Sequence, residues 1–267
     1  MNDFFITSIH NPKIKNLLEL QQKSSARREQ EMFVLEGKRE ILHCMEAGYS
    51  IDSVFYCPSI IGMGENADIL TKLPGTARRF EVTKEIYAKI AYRESTEGIV
   101  AEVRTRSLKL EDLNLTGNPL IMVLERVEKP GNLGAVLRSA DAAGADALII
   151  CDPLTDLYNP NLIRSSIGAV FTVPTVACDS QTCINFLKSK GIRILTAQLQ
   201  DSSLYYDTSM REGVALVMGT ESIGLTQIWR DAADAHIRIP MLGRLDSLNV
   251  SVSASILLFE AVRQRNG

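Results

Sequence analysis

Val214-Ala215-Leu216-Val217-Met218-Gly219-Thr220-Glu221-Ser222-Ile223-Gly224 is the stretch on which the fold turns. Five apolar residues run without interruption and then stop at a glycine-bearing loop. A strand with one wet face would alternate apolar and polar residues, so this one is covered on both faces. The same kind of run recurs at Ala147-Leu148-Ile149-Ile150. Working outward, strands are predicted at 120–125, 146–151, 173–177, 192–196, 214–218 and 236–239, with helices at 132–143, 180–190 and 249–265. Doubly covered strands alternating with helices form a mostly parallel α/β sheet. Ligands of such sheets sit beyond the carboxyl ends of the strands, which directs attention to the loops after 125, 196, 218 and 239.

The first hundred residues form a smaller unit. Asn11-Pro12 opens a polar helix predicted over 11–31. Met32–Leu35 is a short apolar run, Ser53–Cys57, Phe80–Val82 and Gly98–Val103 read as strands, and helices are predicted over 38–47 and 83–91. Residues 105–119 lack periodicity and end in Gly-Asn-Pro, which reads as a linker. The division expected is therefore 1–105, a small α/β domain; 106–118, a linker; and 119–267, the parallel-sheet domain.

The 267 residues suffice for two such domains. No apolar run reaches the ~18 residues that a membrane-spanning helix needs, and no secretory signal is visible, so a cytoplasmic protein without membrane attachment is expected. The five cysteines, Cys44, Cys57, Cys151, Cys178 and Cys183, include no Cys-x-x-Cys pair, and the three histidines are scattered. Reduced thiols and no metal site are expected. A net charge of −3 weighs against binding nucleic acid through bulk charge. Any such contact must be local, and Lys13, Lys15, Lys23, Arg27, Arg28, Lys38, Arg39, Arg78, Arg79, Arg104 and Arg106 are the candidate cations.

The unusual residues gather in three of the loops at the carboxyl edge. Lys129-Pro130-Gly131-Asn132-Leu133-Gly134 leads into a helix carrying Arg138. Gly219–Gly224 follows the central strand. Ile239-Pro240-Met241 runs on to Asp246-Ser247-Leu248-Asn249 before an apolar helix. Taken singly, Gly219 is a turn residue, Asn132 and Asn249 are helix caps and Arg138 is a surface arginine. Together, small and amide residues at one sheet edge let the main chain approach a ligand. There is no phosphate-binding G-x-x-x-x-G-K-[ST] and no dinucleotide-binding G-x-G-x-x-G, which disfavours an NTPase or a nicotinamide enzyme.

In order, these three loops resemble the three signature motifs of the SpoU/TrmH family of RNA ribose methyltransferases, of the SPOUT superfamily. The likeness covers residues 120–267. A weaker one links Ile6–Lys13 and Phe33–Gly37 to the family's accessory RNA-binding domain, which is similar to a small ribosomal protein. Lys129 stands where an acidic or amide residue is common, and Asp246 where Glu is common.

The resemblance implies a deep trefoil knot in the C-terminal domain, an exception to the rule against knotted chains. It implies S-adenosylmethionine as cofactor, held by main chain near Thr196, Gly219, Ile239 and Leu248, and a homodimer formed through the C-terminal domain. It implies methylation of a ribose 2′-hydroxyl in structured RNA, with ribosomal RNA favoured over tRNA. Arg138, Asn132, Glu221, Ser247 and Asn249 are the implied catalytic residues. Arg138 is either the base that takes the hydroxyl proton or a charged clamp on the adjacent phosphate. A guanidinium is a donor with no acceptor, which suits the second role. Glu221 is the alternative proton acceptor. A non-catalytic RNA-binding or assembly protein on the same fold is the alternative function, and a base methyltransferase of the superfamily ranks below it.

Overall fold

A computed structural model describes residues 4–62, 68–92, 97–220 and 223–267. The chain forms two compact units, the first from Met1–Arg106 with Leu157–Gly168, the second from Ser107–Asp156 with Ala169–Gly267. In chain order the elements are β1 (Phe4–Ile6), α1 (Pro12–Gln22), α2 (Ser24–Gln30), β2 (Met32–Glu36), α3 (Lys38–Glu46), β3 (Ile51–Tyr56), α4 (Pro58–Ile61), α5 (Asp68–Lys72), β4 (Arg78–Val82), α6 (Lys84–Ile90) and β5 (Ile99–Arg104). They continue with β6 (Leu120–Glu125), α7 (Pro130–Ala142), β7 (Ala147–Cys151), α8 (Pro160–Ser166), α9 (Ala169–Thr172), β8 (Thr175–Cys178), α10 (Ser180–Ser189) and β9 (Arg193–Ala197). The last are β10 (Ser203–Leu204), β11 (Val214–Met218), α11 (Gln227–Ala232), β12 (Ala235–Arg238) and α12 (Val250–Asn266).

The first unit is a five-stranded mixed sheet in the order β1-β4-β3-β5-β2. Its helices are set by local chemistry. The Asn11 side chain accepts from the Lys13 amide at 2.9 Å, with Pro12 at the first helical position. The single helix expected over 11–31 is broken at Lys23, which is extended (φ −113°, ψ 117°). Arg27, 3% exposed, explains how the break is tolerated. Its guanidinium donates to the carbonyls of Leu20 at 2.6 Å and Gln21 at 3.2 Å, groups the end of α1 leaves without helical partners.

Glu102 on β5 is 2% exposed and receives a long bond, 3.4 Å, from Asn16 Nδ2. Burial raises its pKa above the ordinary carboxylate range, against the pull of Asn16, Lys13 and Ser53. A raised folded-state pKa means that folding is favoured while the group is protonated and loses support as pH rises through that value. Glu102→Gln should therefore raise Tm at pH 7, and the gain should vanish as pH falls into the ordinary carboxylate range. Thermal unfolding of both proteins across that range checks it; a gain that grows toward acid would contradict the assignment.

The second unit is the parallel sheet, ordered β10-β12-β9-β11-β6-β7-β8, with every pairing parallel. β6, β7 and β11 are buried along their whole lengths, as their uninterrupted apolar runs require. One face packs Ile121, Val123, Ile149, Ala215 and Val217 against Ile184 and Leu187 of α10 and Trp229 of α11. On the other side α12 packs on α7, β6 and β11. Leu108, Leu113 and Leu115, in the stretch expected as a linker, pack with buried Leu110 against the first of these faces. Four leucines at two- and three-residue spacing gave no helical or strand period, yet they bury as part of this core.

Candidate functional site

The loops that leave the carboxyl ends of β6, β11 and β12 build the site. The one between β6 and α7 is short, and Pro130 starts the helix at once. The one after β12 runs from Ile239 to Asn249, where Asn249 caps α12 by accepting from the Ser251 amide at 3.0 Å and the Ser251 hydroxyl at 2.6 Å. That fixes the Asn249 carbonyl toward its own helix and turns its amide nitrogen outward. The nitrogen donates to Asn132 Oδ1 at 3.2 Å. Residues 117 positions apart are thereby joined; Asn249 also caps its helix, whereas Asn132, expected as a cap, lies inside the first turn of α7 because Pro130 starts the helix after Lys129.

The loop after β11 closes on itself. Gly224 N donates to Thr220 O at 3.0 Å, and Ile223 N to Thr220 Oγ1 at 3.1 Å. Gly219 has no space for a side chain: a Cβ there would lie 2.3 Å from the carbonyl carbon and oxygen of Gly224 and 2.5 Å from Leu225 N. Gly224 itself has φ +73°, which favours glycine. Glu221 lies outside the described residues.

The other expected residues fall as follows. Thr196 is fully buried inside the sheet, between β11 and β12, its hydroxyl 2.6 Å from His236 Nδ1. Only main chain at that strand end is available to a ligand. Ile239 is half-buried just beyond β12. Ser247 is exposed and donates to Asp246 at 3.3 Å, and Leu248 is 39% exposed. With Ile223, Leu242 and Leu245 it makes four exposed large apolar side chains on two loops, more than water-facing loops normally show. Arg138, six residues along α7 from Asn132, stands about 9 Å further along the helix axis. It is exposed, and its guanidinium has no hydrogen-bond partner among the described residues.

Sequence reading missed a second group at the same sheet edge. Glu125, 1% exposed at the end of β6, accepts from the Thr226 amide at 2.8 Å and its hydroxyl at 2.5 Å. Ser180 accepts from the Trp229 indole at 3.0 Å and donates to Asp152 at 2.6 Å. Glu125, Asp152, Ser180 and Thr226 line a cleft of about 470 Å³ with Arg126, Asp179 and Gln181, and Trp229 lies buried behind it. Arg126 (φ 53°) and Asp152 (φ 49°) end adjacent strands in the left-handed region, which costs energy for non-glycine residues. The isolated Glu125, closing an apolar run, was the available signal. Asn159 caps α8 and Arg164 is exposed on it, in a segment of the first unit that no periodicity revealed.

Comparison with known proteins agrees with this geometry. Residues 11–101 match the MRM3-like substrate binding domain. A 23S rRNA (guanosine-2′-O-)-methyltransferase, RlmB of Xanthomonas axonopodis pv. citri (strain 306), is 33% identical over 224 residues, 78% of this chain and 88% of its own length. A crystal structure of an RNA 2′-O ribose methyltransferase superposes with a TM-score of 0.85 at 37% identity, covering 99% of this chain and 100% of the other. An AdoMet-bound rRNA methyltransferase from Sinorhizobium meliloti does so with a TM-score of 0.86 at 30% identity, covering 97% of each. Residues 119–259, which hold the whole parallel sheet and all three loops, match the SpoU rRNA methylase family, and the chain belongs to that family.

Proposed function

We propose that the protein transfers the methyl group of S-adenosylmethionine to a ribose 2′-hydroxyl of ribosomal RNA. The observation that carries this is the Asn132–Asn249 bond, which makes one site of the first and third loops, in a chain whose relatives are named as 23S rRNA 2′-O-methyltransferases. The residues present fit the cofactor: a loop at Gly219 that excludes any side chain, and exposed leucines at 242, 245 and 248 that a flat apolar purine would cover. Main chain at Gly219, Ile239, Leu248 and the Thr196 strand end would hold it. When bound it supplies an electrophilic methyl on a sulfonium, so the departing sulfur is neutral.

The protein's own residues then have two tasks, alignment and the hydroxyl proton. Asn132, Ser247 and Asn249 present side-chain donors and acceptors that orient the ribose and the arginine. Alignment of this kind contributes up to roughly 7–11 kcal/mol. Arg138, unpartnered among the described residues, is free to grip the phosphate beside the target ribose and to stabilise the oxyanion as it forms. A nearby phosphate favours the charged guanidinium and so favours the clamp over the base. Glu221 remains the alternative acceptor of the proton.

The first unit serves as the RNA-docking domain. Arg78 and Arg104 both reach Asp52, so two cations share one carboxylate and leave a local positive charge on an acidic protein. The protein acts in the cytoplasm as a homodimer through the second unit. Val252, 46% exposed, and Phe259, 47%, flank Ile256 at i, i+4 and i+7 on α12, an apolar stripe suited to a second copy. The knotted path belongs to the same reading. From β12, outside β9 in the sheet, the chain returns across β9 to pack α12 on β11, β6 and α7.

The test is transfer of tritiated methyl from S-adenosylmethionine to ribosomal RNA from a strain lacking the gene, followed by digestion to nucleosides. Label on a ribose 2′-oxygen is expected. Label on a base, or RNA binding with no label at all, would overturn the reading.

A further inference from the structure

Cys151, Cys178 and Cys183 are scattered in sequence but meet in space. Cys151 ends β7, Cys178 ends β8 as its register partner, and Cys183 lies in the first half of α10. Their three sulfurs all lie within 4.8 Å of one another. Cys151 and Cys183 are wholly buried and Cys178 is half-buried, so the cluster has one face toward solvent. Among the described residues no other trio of His, Cys, Asp or Glu converges in this way. Spacing could not reveal it, because its members come from three elements.

Two explanations compete: close packing of small apolar thiols, or a preformed ligand set. Geometry favours the second. A metal–sulfur bond of ~2.3 Å places three sulfurs about 4 Å apart in a planar trigonal site, so these need move by less than an ångström.

The donor set also selects the ion. Zinc wants four ligands in a tetrahedron, the fourth of which only solvent would supply here, because the two carboxylates next to these cysteines in sequence are engaged elsewhere. Asp152 accepts from the Ser180 hydroxyl at 2.6 Å, and Asp179 accepts from the Thr182 amide at 2.8 Å and its hydroxyl at 2.6 Å. What remains is sulfur alone, which suits a soft monovalent d10 ion content with three ligands.

We infer that Cys151, Cys178 and Cys183 form a trigonal Cu(I) site that shares no residue with the methyl-transfer loops. Each sulfur–copper bond forms as a thiol releases its proton to solvent. Copper stays at +1 and no sulfur is oxidised. Affinity therefore rises with pH.

The experiment is anaerobic titration of the reduced full-length protein with Cu(I) buffered by bathocuproine disulfonate, with X-ray absorption at the copper edge. The expected result is one Cu(I) per chain in an all-sulfur, three-coordinate shell. Cys178→Ser, at the half-buried position, should weaken binding at least tenfold, while the Cys44→Ser/Cys57→Ser double variant binds as the parent does. The inference is overturned by a stoichiometry below half an equivalent, by a shell containing nitrogen or oxygen, or by undiminished binding in Cys178→Ser. The spectrum of the unaltered protein decides the matter even if a buried cysteine variant fails to fold.

Discussion

Arg138→Ala should lower methyl transfer by about two to four orders of magnitude, the range lost when a group that stabilises developing charge is removed. Cofactor affinity and Tm should hardly move. The side chain is exposed and has no partner among the described residues, so its removal leaves no buried cavity and no broken bond within them. Arg138→Lys separates the two roles. Lysine keeps the charge but loses the planar fork that grips a phosphate through two parallel bonds. A clamp should recover part of the lost rate with lysine and show a pH profile unchanged in shape. A base should shift that profile, because lysine sheds its proton at about 10.4. Single-turnover rates across pH, with RNA binding measured separately, provide the readout. Near-normal turnover in Arg138→Ala would remove this residue from the mechanism.

Gly219→Ala should weaken binding of S-adenosylmethionine by about 10- to 100-fold, the equivalent of about 1.4–2.8 kcal/mol. The added methyl would sit 2.3 Å from the Gly224 carbonyl, where the obstacle is main chain and cannot swing aside. The loop must open, which breaks the Gly224-to-Thr220 bond and displaces the backbone groups proposed to meet the cofactor. Gly243→Ala is the matched control, since a Cβ there meets nothing within 4 Å. Isothermal titration of both variants tests the claim. Equal affinities would mean that the closed shape of the 219–224 loop does not matter to the ligand.

Much of the parallel sheet was legible because its chemistry is local. Strands such as Val214–Met218 are apolar from end to end, and Asn249 announces α12 as a cap. What escaped was short or distant. α8, α9 and α11 span only four to seven residues, too few for a helical period to declare itself. The break at Lys23 depends on Arg27 reaching back to carbonyls six and seven residues away, which no propensity encodes. In the site, the sequence pointed to Asn132 and Asn249 as members of one family signature. That they bond to each other is a property of the folded sheet. Ser180, Asp152 and Trp229 were missed because each looks ordinary alone, and Glu125, the one signal, because a single carboxylate at a strand end names no partner.

The Asn132–Asn249 bond has a consequence for the timing of activity. Its two halves are made at opposite ends of the second unit's synthesis, and the later half opens the final helix. A nascent chain can lay down β6 to β12 and still have no complete site, because the amide that answers Asn132 has only just been made and is not yet anchored by α12. On the proposed reading, the methyl-transfer site is incomplete until Asn249 is anchored as the cap of α12.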